Sequence, residues 1–432
     1  MDIYLIQGSA GLALNGTGAA APFRAARFAD EALTRLEIVM EAVPAALNAG
    51  VSTLSGWMFE AARTAGDASQ DAVYLRVTLA DGSAWRTPLR GGEVTALRGP
   101  AGRQVNAQAV RVEVQRADWW ESADPAALTL SNTHGSGATA LVYNHSDGGH
   151  NNYADLSPVG GDLPAPLDAS LLMGSYANVE AFVGLGSYVD FAAAPMVYEG
   201  GAGVTGAGVT PSISTDAGDS NNAYVGLAWS GTGLVTLHYW SPTQAQVSAY
   251  GARFFRPLVR LHGLVGAAER FWLQMKLAYN SGGVLETVYE TEPVLAPTDR
   301  VLFPLPVVQL PPWATSNRDS QPVALALTAW AEAAGAHSLQ LDYQGLIPMD
   351  AYLHLIPKIT TYPDFNVLFL TESGLVKNNG RSMGTHVAEG SGLWAAPGRA
   401  NRLFLLMRSG ATSSVAASAA VSLTYRPRRR RL

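Results

Sequence analysis

Apolar and polar positions alternate with a period of two along much of this chain, the pattern of strands with one buried face. Leu36, Ile38 and Met40 are interleaved with Arg35, Glu37 and Glu41, and Val110, Val112 and Val114 with Arg111, Glu113 and Gln115. Val73 to Leu79 is β-rich and runs into Asp81-Gly82, a hairpin signal. The helical period stands out once. Leu54, Trp57, Met58 and Ala61 fall on one helix face, with Thr53 placed as the starting cap and Gly66 near the stop.

Beyond residue 122 the pattern is almost purely strand and turn. Tyr224 to Trp229 and Leu234 to Trp240 flank Gly231-Thr232-Gly233. Further strands are predicted over 254–261, 271–279, 323–330, 338–343 and 351–356. Pro304, Pro306, Pro311 and Pro312 mark an edge or loop before Trp313. So many short strands at this spacing predict a sandwich or jelly roll. The expected fold is therefore mainly β. A β-rich domain with one helix (1–122) precedes a large jelly-roll-like β-sandwich (123–356) and a short C-terminal β section with a basic tail (357–432).

Charge sharpens this division. No lysine or arginine occurs between Arg116 and Arg253, while that stretch holds a dozen acidic residues. The shift suggests a module beginning after Trp119-Trp120-Glu121. The net charge of −6 argues against nucleic acid as the main partner. With no cysteine, disulfides and thiolate metal sites are excluded. No apolar run reaches the roughly 20 residues that span a bilayer, so no membrane insertion is expected. Met1-Asp2-Ile3-Tyr4 does not open a signal peptide, which points to folding in a cytoplasm.

Candidate chemistry is sparse. Gly201-Ala202-Gly203-Val204-Thr205-Gly206 matches GxGxxG, but no helical period follows to receive a pyrophosphate, and it reads as a glycine loop. His134, His145 and His150 lie among Asn144, Asp147, Asn151, Asn152 and Asp155 without the spacing of a zinc or EF-hand site, so no metal is assigned. There is no GxSxG, HExxH, P-loop or cysteine nucleophile. Neither a catalytic residue nor a cofactor is assigned. A glycan hydrolase stays open as a third reading, because a carboxylate pair is recognised only by geometry. Trp229, His238, Tyr239, Trp240, Trp272 and Trp330 are core or inter-subunit aromatics, or else a sugar-stacking platform led by Trp229, Tyr239 and Trp240.

The chain closes on Arg426-Pro427-Arg428-Arg429-Arg430-Arg431-Leu432. This run is a solvated tail, a nucleic-acid contact, or a set of cations for carboxylates on a neighbouring subunit. Arg426, Arg428, Arg429, Arg430 and Arg431 are the candidate subunit contacts. On that last reading, removing the final seven residues leaves the fold intact and weakens assembly.

The N-terminal unit resembles the first domain of tail proteins of double-stranded DNA phages and prophages. The likeness lies in the strand Leu36 to Met40, the helix around Trp57, the strand pair Val73 to Trp85 with its aspartate-glycine turn, and Val110 to Trp120-Glu121. Gly161-Asp162-Leu163-Pro164-Ala165-Pro166 is similar to a connector in such proteins. Residues 397–403 and 425–428 resemble their closing strands and basic end. The resemblance implies a virion structural protein of the distal tail or baseplate type, made in the host cytoplasm. Its partners would be copies of itself and other tail proteins. A carbohydrate-binding adhesin module that holds host surface glycan is the alternative.

Overall fold

The computed structural model describes residues 1–15, 23–29, 35–42, 44–67, 70–96, 103–104, 107–143, 149–172, 179–188, 197–216, 219–242, 254–310, 323–356, 366–382, 387–409 and 418–432. It is mainly β, with several antiparallel sheets and, among the described residues, one α-helix. Pro311, Pro312, Trp313, Asn144, His145 and Asp147 lie outside the described residues.

The chain forms two compact units. The first gathers Met1–Ala126, Gly160–Ala165 and Tyr425–Leu432; the second holds Ala127–Val159 and Pro166–Thr424. The expected division at 122 falls close to the first exit, but the expected end section does not stand apart. Strands from 366 to 424 share sheets with strands from 130 to 188, and the last eight residues belong to the first unit. Sequence periodicity locates strands but carries no record of their distant partners.

In the first unit the alternating strands pair as their patterns require. Leu36, Ile38 and Met40 of Arg35–Ala42 face Val114, Val112 and Val110 of Ala107–Arg116 across an antiparallel ladder, and all six are buried. The hairpin joining Tyr74–Thr78 to Ala84–Ala96 turns at Asp81-Gly82, where Gly82 takes a φ of 84° and the Asp81 carboxylate accepts from the Ser83 N–H. The helix Pro44–Thr64 lays Leu54, Met58 and Ala61 on this core, with Trp57 packed at its margin. It starts nine residues before Thr53, whose hydroxyl instead donates to the Ala49 carbonyl within the helix. Pro44 suits the first helical turn, where its missing N–H goes unused.

The second unit contains two sandwiches of the same strand order, one nested inside the other. The inner has eight main strands: Ala223–Ser230, Leu234–Trp240, Phe254–Leu261, Phe271–Ser281, Val284–Glu290, Leu302–Pro304, Val323–Ala331 and Ala336–Pro348. In one sheet the first strand pairs with the eighth, the eighth with the third and the third with the sixth. In the other the order is second, seventh, fourth, fifth. This is the connectivity of a jelly roll. The outer sandwich repeats it with Ala140–Tyr143, Tyr153–Leu156, Ala165–Leu172, Val179–Tyr188, Tyr352–Leu355, Asn366–Leu370, Ala400–Ser409 and Ser418–Tyr425. The inner jelly roll is inserted between its fourth and fifth strands.

This nesting explains why Leu403 to Met407 is apolar at every position. All five residues are buried. Phe404 and Leu406 join the inner jelly roll's core, together with Phe182 and Tyr352. Gly184 allows the close approach, since a Cβ there would run into the Ile347 side chain.

Candidate functional site

The basic end of the chain is a strand, not a free tail. Arg428–Arg429 pairs antiparallel with Trp120–Ser122, placing Arg428 opposite Glu121 and Arg429 opposite Trp120. The Arg428 carbonyl accepts from the N–H groups of Asp162 and Leu163 at 2.8 and 3.2 Å, which joins the third segment of the unit. Side chains follow the backbone inward. Arg428 is 4% exposed, its guanidinium 3.6 Å from the Trp119 ring centre and 3.3 Å from a Glu121 carboxylate oxygen. Arg86 binds the other oxygen of Glu121 at 2.8 Å while lying over Tyr74, and Glu121 is itself 1% exposed. Arg429 lies over Trp85 at 3.5 Å, and Arg426 donates to the Ser122 and Ala123 carbonyls. Burial pushes the guanidinium pKa of both Arg426 and Arg429 down.

Three of the five arginines expected at a subunit contact, Arg426, Arg428 and Arg429, are thus engaged within their own unit. Arg430 and Arg431 are exposed. This arrangement argues against the expectation that the last seven residues are dispensable to the fold. A run of arginines reads as solvated until acceptors and rings are seen to surround it.

The expected stacking platform is also relocated. Trp229 meets Phe271 edge-on at 5.2 Å inside the inner jelly roll. Trp240 is buried, its indole N–H donating to the Glu199 carbonyl. Tyr239 packs on Ala324 and Ala326. None of the three is open to a sugar ring. Trp272 and Trp330 lie elsewhere on the inner jelly roll. They are cross-strand partners on the second-seventh-fourth-fifth sheet, with rings 4.7 Å apart and Trp330 42% exposed. Leu234 and Leu295 extend the row on either side, both exposed. Polar groups lie further along the Trp272 strand and on its neighbour Val284–Glu290. Gln274 donates to Glu290 at 3.3 Å, and Lys276 pairs with Glu290 at 3.3 Å. A core jelly-roll position would not leave an indole in water, so exposure singles out Trp330 where sequence could not.

The glycine motif serves packing. Gly200–Ala202 forms a single 3-10 turn, and the strand Val204–Thr205, not a helix, follows. A Cβ at Gly203 would strike His238, and one at Gly206 the Thr236 carbonyl. Close to this segment lies a buried charged cluster. Arg260 binds Asp342, both fully enclosed. Asp342 also accepts from the Ser220 N–H at 2.8 Å, and the Ser220 hydroxyl donates to Glu199 at 2.8 Å. Asp219 binds His262 at 2.7 Å, and Tyr224 stacks on that imidazole at 3.9 Å. Burial raises Glu199 to about 7, Asp342 well above the usual carboxylate range, and Asp219 in the same direction. These groups converge, but Arg260 and Asp342 are shut off from any substrate.

Of the histidine-rich loop, His134 and His150 flank Tyr143, with ring centres 5.0 and 4.4 Å from it. Among the described residues no group of three or more metal-ligating side chains comes together, and no helix is long and apolar enough to cross a membrane. A comparison with protein-family models finds no match, and a comparison with curated proteins finds none.

Removing one partner of a buried ion pair strands the other charge in a medium that solvates it poorly. Arg428→Met keeps the apolar stem but takes one guanidinium away from the buried Glu121. It should destabilise the first unit by about 3 kcal/mol, the low end for such pairs because Arg86 and the nearby Arg426 still face Glu121. Denaturant unfolding followed by tryptophan fluorescence checks this, and a loss below about 1 kcal/mol would refute it.

Proposed function

We propose that this protein is a virion structural component of a phage tail, of the distal tail or baseplate type, that works by self-association and by binding other tail proteins. The observation that carries the reading is the N-terminal unit. Its strand, helix, aspartate-glycine hairpin and closing Trp120-Glu121 carry the residues on which the resemblance to tail proteins rests. The chain's own end returns to complete that unit. Sandwiches with broad faces and exposed strand edges suit assembly with copies of the same chain. Arg430 and Arg431 remain in solvent as cations for a neighbouring subunit. The product is affinity, with no bond made or broken.

Sedimentation of the purified chain should show a closed oligomer at micromolar concentration. Arg430→Ala with Arg431→Ala should weaken it, and the difference should shrink as added salt screens the exposed charges. A monomer at every concentration, with no tail-protein partner, would rule the reading out.

A second reading, glycan binding by the inner jelly roll, is favoured by the exposed Trp330 beside the half-buried Trp272. The C–H face of a pyranose stacks on an indole, and the polar groups of Gln274, Lys276 and Glu290 stand near to receive hydroxyls. Glycan-array binding should fall at least about tenfold, about 1.4 kcal/mol, when both tryptophans become alanine. Binding that survives both substitutions, or no glycan bound at all, would exclude it.

A further inference from the structure

Residues 199–216 and 219–222 belong to an arm that adds a strand to one edge of each inner sheet. Val204–Thr205 pairs with Tyr239 and His238 on one sheet, and Thr210–Thr215 pairs with Ala223–Ala228 on the other. The arm is fastened at both ends by the same buried cluster. Glu199 stands at one end and Asp219 and Ser220 at the other, joined through the Ser220 hydroxyl. From the sheet, Asp342 holds the Ser220 N–H and His262 holds Asp219.

The charges at this fastening do not balance. Among the described residues, three carboxylates, Glu199, Asp219 and Asp342, share one guanidinium, Arg260, and one imidazole, His262. Asp216 adds its charge near Asp219. Tyr343, Tyr224 and His238 face the cluster from the neighbouring strands; His238 contacts the Gly200 carbonyl. One Glu199 carboxylate oxygen accepts from Ser220, while the other is buried with no hydrogen-bond partner. A proton on Glu199 removes the cost of holding a negative charge at that poorly solvated oxygen.

We propose that this arm is a proton-operated clasp, closed when Glu199 is neutral and loosened when it ionises. Opening bares the edges of strands 223–230 and 234–240, and unpaired edges recruit strands from other chains. Burial sets the range. With Glu199 raised from 4.5 to about 7, the closed arm holds its proton more tightly than the open one. The stabilisation is complete below about 4.5 and is lost as pH rises through about 7.

Amide hydrogen exchange on the full chain, corrected for intrinsic rates, tests this in peptides spanning 204–215. The open population should rise roughly seventyfold between pH 5 and 8 in the unsubstituted protein. Glu199→Gln, which carries no ionisable proton, should remove most of that rise. Flat protection in the unsubstituted protein overturns the proposal, whether or not the variant folds. So does an equal rise in the variant, or a parallel rise in 403–407, which would mark global unfolding.

Discussion

A buried carboxylate must be neutralised where it sits, and Glu121 is neutralised by two guanidiniums that arrive from far apart in the chain. Arg86 comes from the long hairpin strand and Arg428 from the last strand, while the backbone of 162–163 pins Arg428 from a third segment. The charge requirement ties the end of the chain to its beginning. It accounts for a first unit that is discontinuous in sequence. Trp119, Trp85 and Tyr74 line the same site with aromatic faces, which suits delocalised cations more weakly hydrated than an ammonium. Arginine is the residue this site calls for, and lysine would not serve the same stacking.

Once the last strand is tied back to the first unit, the stretches 127–159 and 166–424 must each leave that unit and come back. The outer jelly roll is such an excursion, and the inner one is a second excursion within it. The insertion point suits this. The fourth and fifth outer strands are hydrogen-bonded neighbours, with Gly184 opposite Tyr352, so a long insert closes between ends already held together. Loop-closure cost grows only with the logarithm of length, so a whole domain there is tolerated. The insert also covers apolar surface, because Phe404 and Leu406 would otherwise face water.

What the sequence disclosed is what depends on near neighbours. The alternation at Leu36 to Met40 and at Val110 to Val114, the helix face through Leu54, Met58 and Ala61, and the Asp81-Gly82 turn were all legible, since each follows from local periodicity or turn chemistry. Partnership was not legible. The span free of lysine and arginine runs from the first unit through the outer jelly roll into the inner one, so it marks no boundary. The terminal arginines read as solvated because their acceptors lie some 300 residues away, as with Arg428 and Glu121. Trp229 and Trp272 are both tryptophans in β-rich runs, and only the register of the folded sheets turns one inward and the other out.

The tie between the chain's end and Glu121 is tested most directly by calorimetry on a protein lacking residues 426–432. The account predicts that the first unit melts at a clearly lower temperature, or fails to fold, while the transition of the nested jelly rolls stays where it was. Unfolding indistinguishable from that of the full chain would contradict it.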